Sequence, residues 1–354
     1  MPTSIPLFTL LLCPKPSALT LLHAAQQGFV SLHKTLEQYL NDHPNSYLGK
    51  WANLAGVYND SPDKRIAKTK ILRLLTHSAG INKGGIGVQR EPISSLSDVL
   101  DGSYDGSAVG YLADAGSIYS YSGGGYAIAE SILDIETTNG ATNWLNGTIS
   151  AIGMSHSTFG SLASRVDKMA RLHDTRGDVF FYRECPVKTA GGLFATASDY
   201  AIFLRTLLNQ GKAPNGRQLL ATNWNSVMFR PMYREGSSLK AFQNISDCSG
   251  FESCVRNTCM RPIRSGKAFI GPDIRMLPPF DPVTKLPEII EHSGAQLSTR
   301  TKFLLNIKKR QGIVIFVSGP TKWKNDPDSA NEAEKGAGKL LAEILKSYSD
   351  RVGW

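Results

Sequence analysis

Three short stretches hold residue types that could do chemistry: SIYSYSGGGYAIAESI (117–132), DCSGFESCVRNTC (247–259) and LFTLLLCPKP (7–16). In the first, a Tyr, a Ser and three glycines precede a helical pattern. Glycine lets a backbone turn tightly and approach a ligand, and a helix N-terminus attracts anions. The stretch has neither a G-x-G-x-x-G frame nor a phosphate-loop lysine, so a nucleotide site is not expected, and alone it reads as a tight turn. In the second, Cys248, Cys254 and Cys259 stand close together with no C-x-x-C and no His among them. That pattern argues against zinc and for a disulfide pinning a loop, with free thiols as the alternative. A disulfide would imply an oxidising compartment. The sequons at Asn146 and Asn244 are compatible with that, and a secreted or periplasmic location is the expectation. The third stretch is apolar but lacks the basic n-region of a signal peptide. As a lipid-attachment site, Cys13 would need a small residue before it, and Leu12 is large.

The elements that must position these residues are legible from caps and period. SALTLLHAAQQG (17–28) pairs a Ser at a plausible N-cap with Gly28 at the C-terminal turn. TKILRLLTHSAG (69–80) repeats the scheme and stops at Gly80, and GYAIAESILDIETTNG (125–140) puts Ile128, Ile132 and Ile135 on one face and stops at Gly140. SDYAIFLRTLLNQG (198–211) opens with Ser198 and Asp199, which suit the positive end of the helix dipole, and ends at Gly211. Residues 286–294, 299–308 and 312–320 read as consecutive strands with short turns, followed by a helix from Asp328 to Tyr348. The layout predicts an α+β layered fold. It is read as a single domain with sheet-forming parts at 1–66 and 286–354, a mainly helical part at 67–235 and a loop-rich insertion at 236–285.

Composition narrows the functional classes. The chain has 354 residues and 39 Lys+Arg against 30 Asp+Glu, a net charge of +9. The cations are scattered, the densest clusters being KTKILR (68–73) and NIKKRQ (306–311), both inside periodic apolar patterns. With no nucleic-acid motif, the charge reads as a solvated surface, and nucleic acid is not an expected partner. No apolar run reaches the roughly 18 residues of a membrane span.

Five strings occur in order: LLTHSAGI (74–81), YSGGGY (121–126), IGMSHSTF (152–159), AGGLFATASDYAIFL (190–204) and EHSGA (291–295). Together they resemble the serine β-lactamase-like family, in the branch of class C β-lactamases, D-alanyl-D-alanine peptidases and family VIII esterases. The resemblance covers roughly residues 7–235 and 286–349. It implies a β-lactamase/transpeptidase-like fold, an antiparallel sheet flanked by helices with a helical subdomain, and acyl transfer through a serine ester with neither metal nor cofactor. The ligand implied is a small ester, amide or peptide. Tyr121 matches the family's Y-S-G tyrosine, which serves as base and then acid. A phenol with an ordinary pKa near ~10 needs a nearby cation for this, and Lys15 is the implied source. His292 and Gly294 match the H-x-G strand, and Ala295 the position whose N–H completes the oxyanion hole. Gly123 stands where Y-x-N members carry Asn. His77 is read as positioning a turn.

The same resemblance gives LFTLLLCPKP its meaning. Family members show an aromatic residue, Ser four positions later and Lys three beyond, often followed by Pro. Phe8, Lys15 and Pro16 take those places, and the nucleophile position is Leu12. Leucine cannot attack a carbonyl, and loss of a serine nucleophile costs on the order of 10⁶ in kcat. Cys13 is a poor substitute, because one helical step turns a side chain by about 100°. The other S-x-x-K strings begin at Ser31, Ser61 and Ser237 and read as chance matches. The family also carries some fifty residues before its nucleophile, so N-terminal strands are expected to be missing. The expectation is a β-lactamase-related serine hydrolase, inactive or impaired as written. The alternative is a pseudoenzyme that binds ligand in the same cleft.

Overall fold

The computed structural model describes residues 8–10, 15–54, 65–87, 93–160, 169–173, 177–180, 184–229, 233–234, 269–272, 274–283, 286–296, 299–318 and 330–353. Along the chain run β1 (Phe8–Leu10), α1 (Lys15–Gln26), α2 (Leu36–Asp42), α3 (Tyr47–Leu54), α4 (Arg65–Lys68), α5 (Ile71–Leu75), α6 (Leu96–Asp101), α7 (Gly123–Glu136) and α8 (Gly140–Ala151). They are followed by β2 (Thr158–Phe159), β3 (Leu172–His173), β4 (Val179–Phe180), α9 (Lys188–Gly191), β5 (Leu193–Ala195), α10 (Ala197–Leu208) and α11 (Thr222–Met228). The last group is β6 (Tyr233–Arg234), β7 (Phe269–Gly271), β8 (Ile274–Phe280), β9 (Pro287–Gln296), β10 (Thr299–Asn306), β11 (Gln311–Ser318) and a closing helix, α12 (Ala330–Val352).

The main sheet is an antiparallel meander in the order β11-β10-β9-β8-β7-β6. Alternation along β10 buries Thr299, Thr301, Phe303 and Leu305 and leaves the residues between them half-buried. Helix α10 covers the buried face. Tyr200 packs at ring-centroid distances of 5.3 Å from Phe203, 6.0 Å from Phe303 and 5.9 Å from Phe316. A second small sheet, β1-β5-β2, joins the N-terminus to the helical part, and β1 also lies against β9 and β10.

Helix α1 is apolar nearly all round, with Ala18, Leu19, Leu21, Leu22 and Ala24 fully buried, so it runs through the core rather than over it. It begins at Lys15, two residues before the expected cap, and Ser17 lies buried in its first turn. Its end is as expected. Gly28 takes φ +83°, and the N–H groups of Gly28 and Phe29 donate to Ala25 and Ala24 carbonyls at 3.1 and 3.0 Å. Helix α10 is capped by Thr196, whose hydroxyl accepts from the Asp199 N–H at 3.0 Å. Asp199 also accepts from the His156 N–H and the Ser157 hydroxyl, both at 2.7 Å.

Several boundaries differ from the sequence reading. The helix expected over 69–80 is only Ile71–Leu75, because His77 takes the left-handed φ of +54° and turns the chain away. Helix α7 ends at Glu136, and Gly140 opens α8, a helix the periodicity did not reveal. Within the part read as sheet-forming, residues 15–54 hold the helices α1, α2 and α3 joined by turns. The 236–285 region was read as loop-rich, yet β7 and β8 within it are strands of the main sheet. A register irregularity between Leu277 and Phe280, around two prolines, weakened the two-residue period there. Cys13, Cys248, Cys254 and Cys259 lie outside the described residues, so the expected disulfide does too.

Gly80 is the tightest point of the 76–81 turn. It has φ +74°, and a Cβ there would stand 2.0 Å from the Ala113 carbonyl oxygen. Gly106 has φ +79° with open space around it. Gly80→Ala is therefore expected to cost about 3 kcal/mol, combining backbone strain with a forced shift. Gly106→Ala should cost only about 1 kcal/mol. Urea unfolding of both variants checks the difference.

Candidate active site

Tyr121 is half-buried in the turn that leads into α7. Ser122 is the N-cap. Its hydroxyl accepts from the Gly125 N–H at 2.9 Å and donates to the Lys83 carbonyl at 2.9 Å. The Gly123 N–H donates to the Gly84 carbonyl at 2.5 Å, and the Gly124 N–H to the Lys83 carbonyl at 2.9 Å. All three glycine N–H groups are thus satisfied within the protein, and no anion cradle is left at this helix start. The glycines serve close approach instead. A Cβ on Gly123 would meet Gly84 O and Ile86 Cγ1 at 2.8 Å, and one on Gly124 would meet Lys83 Cβ at 2.9 Å.

The loop packed here is held by its own ion pair. The buried Lys83 ammonium lies 2.6 Å from Asp105 Oδ1 and also donates to the Ser107 carbonyl. On the other side, the His77 ring lies 4.3 Å from the Tyr121 ring at 35°, edge-on to Tyr119 at 6.1 Å and 5.3 Å from Tyr126.

The H-x-G stretch lies in β9. His292 is half-buried opposite Phe303, on the face covered by α10, Gly294 stands opposite Thr301, and the exposed Ala295 opposite Arg300. Beside them Glu291 takes Arg275 Nη1 at 2.5 Å and Lys302 Nζ at 2.8 Å, which ties β8, β9 and β10 together. β1 pairs antiparallel with β5, Phe8 opposite Ala195 and Leu10 opposite Leu193. Lys15 is the first residue of α1, while Leu12 and Cys13 lie outside the described residues. From Leu10 to Lys15 the chain spans at most about 18 Å. β1 itself touches β9 and β10.

Of the other S-x-x-K strings, Ser31 and Lys34 belong to a structural turn. Ser31 Oγ accepts from the His33 and Lys34 N–H groups, and Lys34 pairs with Asp42 at 2.6 Å and Glu136 at 3.2 Å. Ser61 and Ser237 lie outside the described residues.

Sequence reasoning passed over Glu130, whose only signal was a carboxylate inside an otherwise apolar helix. It is buried on α7 and accepts from the Thr189 N–H at 2.7 Å and the Thr189 hydroxyl at 2.8 Å, which docks α9 and the A-G-G-L strand behind the Tyr121 turn. Burial outweighs these hydrogen bonds and pushes its carboxyl up to about 7. Burial likewise pushes the free Cys185 thiol up to about 12, which makes it a poor nucleophile. Among the described residues, no group of three or more His, Cys, Asp or Glu could hold a metal ion, and no helix is long and apolar enough to cross a membrane.

The folded protein keeps a proton on Glu130 that the unfolded chain loses near the ordinary carboxylate value of 4.5. Stability from this site is therefore full below that value and is lost as pH rises toward 7. Chemical denaturation at a series of pH values should show this decline, and Glu130→Gln should flatten it.

Comparison with known proteins agrees with the fold. The chain resembles the D-amino acid amidase of Ochrobactrum anthropi SV3, with a TM-score of 0.64, 14% identity and coverage of 98% of this chain and 93% of the other. It also resembles an octameric penicillin-binding protein homologue from Pyrococcus abyssi, with a TM-score of 0.61, 16% identity and coverage of 97% and 67%. A class C beta-lactamase is similar at a TM-score of 0.58 and 16% identity, with coverage of 96% and 82%. No curated protein matches the chain in sequence. The fold is the β-lactamase/transpeptidase-like α+β fold, and the Beta-lactamase family profile matches residues 16–337, nine-tenths of the chain, so this chain belongs to the beta-lactamase family.

Proposed function

We propose that this chain is an acyl-transfer scaffold of the esterase or peptidase type whose nucleophile position is filled by Leu12, so that it binds a small ester, amide or peptide without efficient turnover. The observation that carries the reading is where the two elements that flank position 12 in the sequence lie. β1 pairs with β5 and lies against the His292 strand, and α1 opens at Lys15, five residues after Leu10. In this reading Lys15 supplies the cation that favours the Tyr121 phenolate, and Tyr121 would shuttle the proton between nucleophile and leaving group. The Ala295 N–H would face the carbonyl oxygen of the ligand, with His292 and Gly294 shaping the strand that presents it. Gly123 leaves no side-chain amide to orient the ligand. The likeness to an amidase acting on D-amino acids favours an amide among the candidate ligands.

The reading predicts no covalent adduct when the purified protein meets a fluorophosphonate or a β-lactam and is weighed intact. Leu12→Ser should then gain a single-site adduct and raise ester hydrolysis by several orders of magnitude, toward the ~10⁶ that such a serine supplies. Adding Tyr121→Phe should return the rate to background. An adduct on the unaltered chain, or a folded Leu12→Ser protein with neither adduct nor turnover, overturns the proposal.

A further inference from the structure

His77 grips the backbone on both sides of Tyr121. Its carbonyl accepts from the Ser120 N–H at 2.8 Å, and its ring Nδ1 accepts from the Ser122 N–H at 3.0 Å. Between these two anchors its ring lies against the Tyr121 ring, centroids 4.3 Å apart. Three contacts from one buried side chain and its own peptide thus fix the residue before Tyr121, the residue after it and the ring itself. The grip requires an unusual backbone. A non-glycine residue at φ +54° costs free energy, and such conformations persist only where surrounding contacts hold them. An Nδ1 that accepts also fixes the neutral imidazole with its proton on Nε2, because a protonated Nδ1 would face the Ser122 N–H donor to donor.

We infer that His77 is a positioning residue for Tyr121, setting the direction of its phenol through a two-sided backbone clamp and a ring stack. This rests on the reading of Tyr121 as the proton-transfer residue of the cleft. The strained turn at 76–81 is then the device that brings the imidazole to that place. Gly80, at φ +74° under the Ala113 carbonyl, completes the return of the chain. The hydroxyl of Tyr126, which lies under the same ring, donates to the Leu75 carbonyl at 3.0 Å and holds the last turn of α5 against α7.

The test reads Tyr121 directly, in the full chain carrying ¹³Cζ-tyrosine, with the Tyr121 resonance assigned by its disappearance in Tyr121→Phe. His77→Ala should shift and broaden that resonance. It should also speed tetranitromethane nitration of Tyr121, mapped by peptide digestion, by about ten-fold, the upper factor for loss of a ring contact of this size. His77→Asn keeps an acceptor and tolerates the left-handed backbone, so it should restore much of the parent behaviour. Should His77→Ala fail to fold, His77→Gly relaxes the backbone, lacks both ring and acceptor, and carries the same two readouts. A cooperatively folded His77→Ala or His77→Gly variant whose Tyr121 resonance and nitration rate match the parent overturns the inference. In the Leu12→Ser background the same variants should lower kcat with KM little changed. A Leu12→Ser chain without turnover, in which Tyr121 still responds to His77 substitution, would overturn the hydrolase reading and leave the positioning role standing.

Discussion

A buried helix start governs this region of the molecule. The first turn of α7 lies inside the protein, and a helix N-terminus exposes donors that are expensive to bury unpaired. Here they are paired by Gly84 O, Lys83 O and Ser122 Oγ, which requires the 81–86 loop to lie directly on the helix. Only glycine at 123 and 124 allows that approach. Once loop and helix are locked together, the residues just before the helix have little freedom left. The position of Tyr121 is therefore a consequence of satisfying backbone groups, with His77 refining it.

A second set of constraints acts in the main sheet. The β9 strand is held by the Glu291 pairs with Arg275 and Lys302, while Tyr200 of α10 packs on Phe303 and Phe316 of the adjoining β10 and β11. Ion pairs of this kind, short and largely withdrawn from water, add register more than net stability. The register they protect puts His292 opposite Phe303 and Gly294 opposite Thr301. A slip of one residue would send both to the other face. β1 touches both β9 and β10 while pairing with β5, so one three-residue strand links the main sheet to the A-G-G-L segment.

Much of this was legible in the residues themselves. Period and caps located α1, α7, α10 and the β9-β10-β11 meander to within a few residues, because each has a strong apolar repeat and a marked end such as Gly28. The five ordered strings identified the family, and the family match over 16–337 agrees with them. The β7–β8 segment was hidden because two prolines and an irregular register break the alternation that marks a strand. The shortened α5 was hidden because the left-handed conformation of His77 is held by contacts with residues some 45 positions away, which local pattern does not mark.

The sequence alone determined the chemistry on offer: a tyrosine beside glycines, a histidine and glycine in a strand, a lysine opening a helix, and leucine where a serine is expected. These are matters of side-chain type and order, and no folding is needed to read them. The tertiary structure decided what each glycine, histidine and buried carboxylate is for. The glycine run admits a loop rather than an anion, Glu130 docks α9, and His77 holds the backbone on either side of Tyr121. Those roles depend on distances between residues 40 to 60 positions apart. Long-range burial and hydrogen-bond satisfaction set such distances, and local pattern carries no record of them.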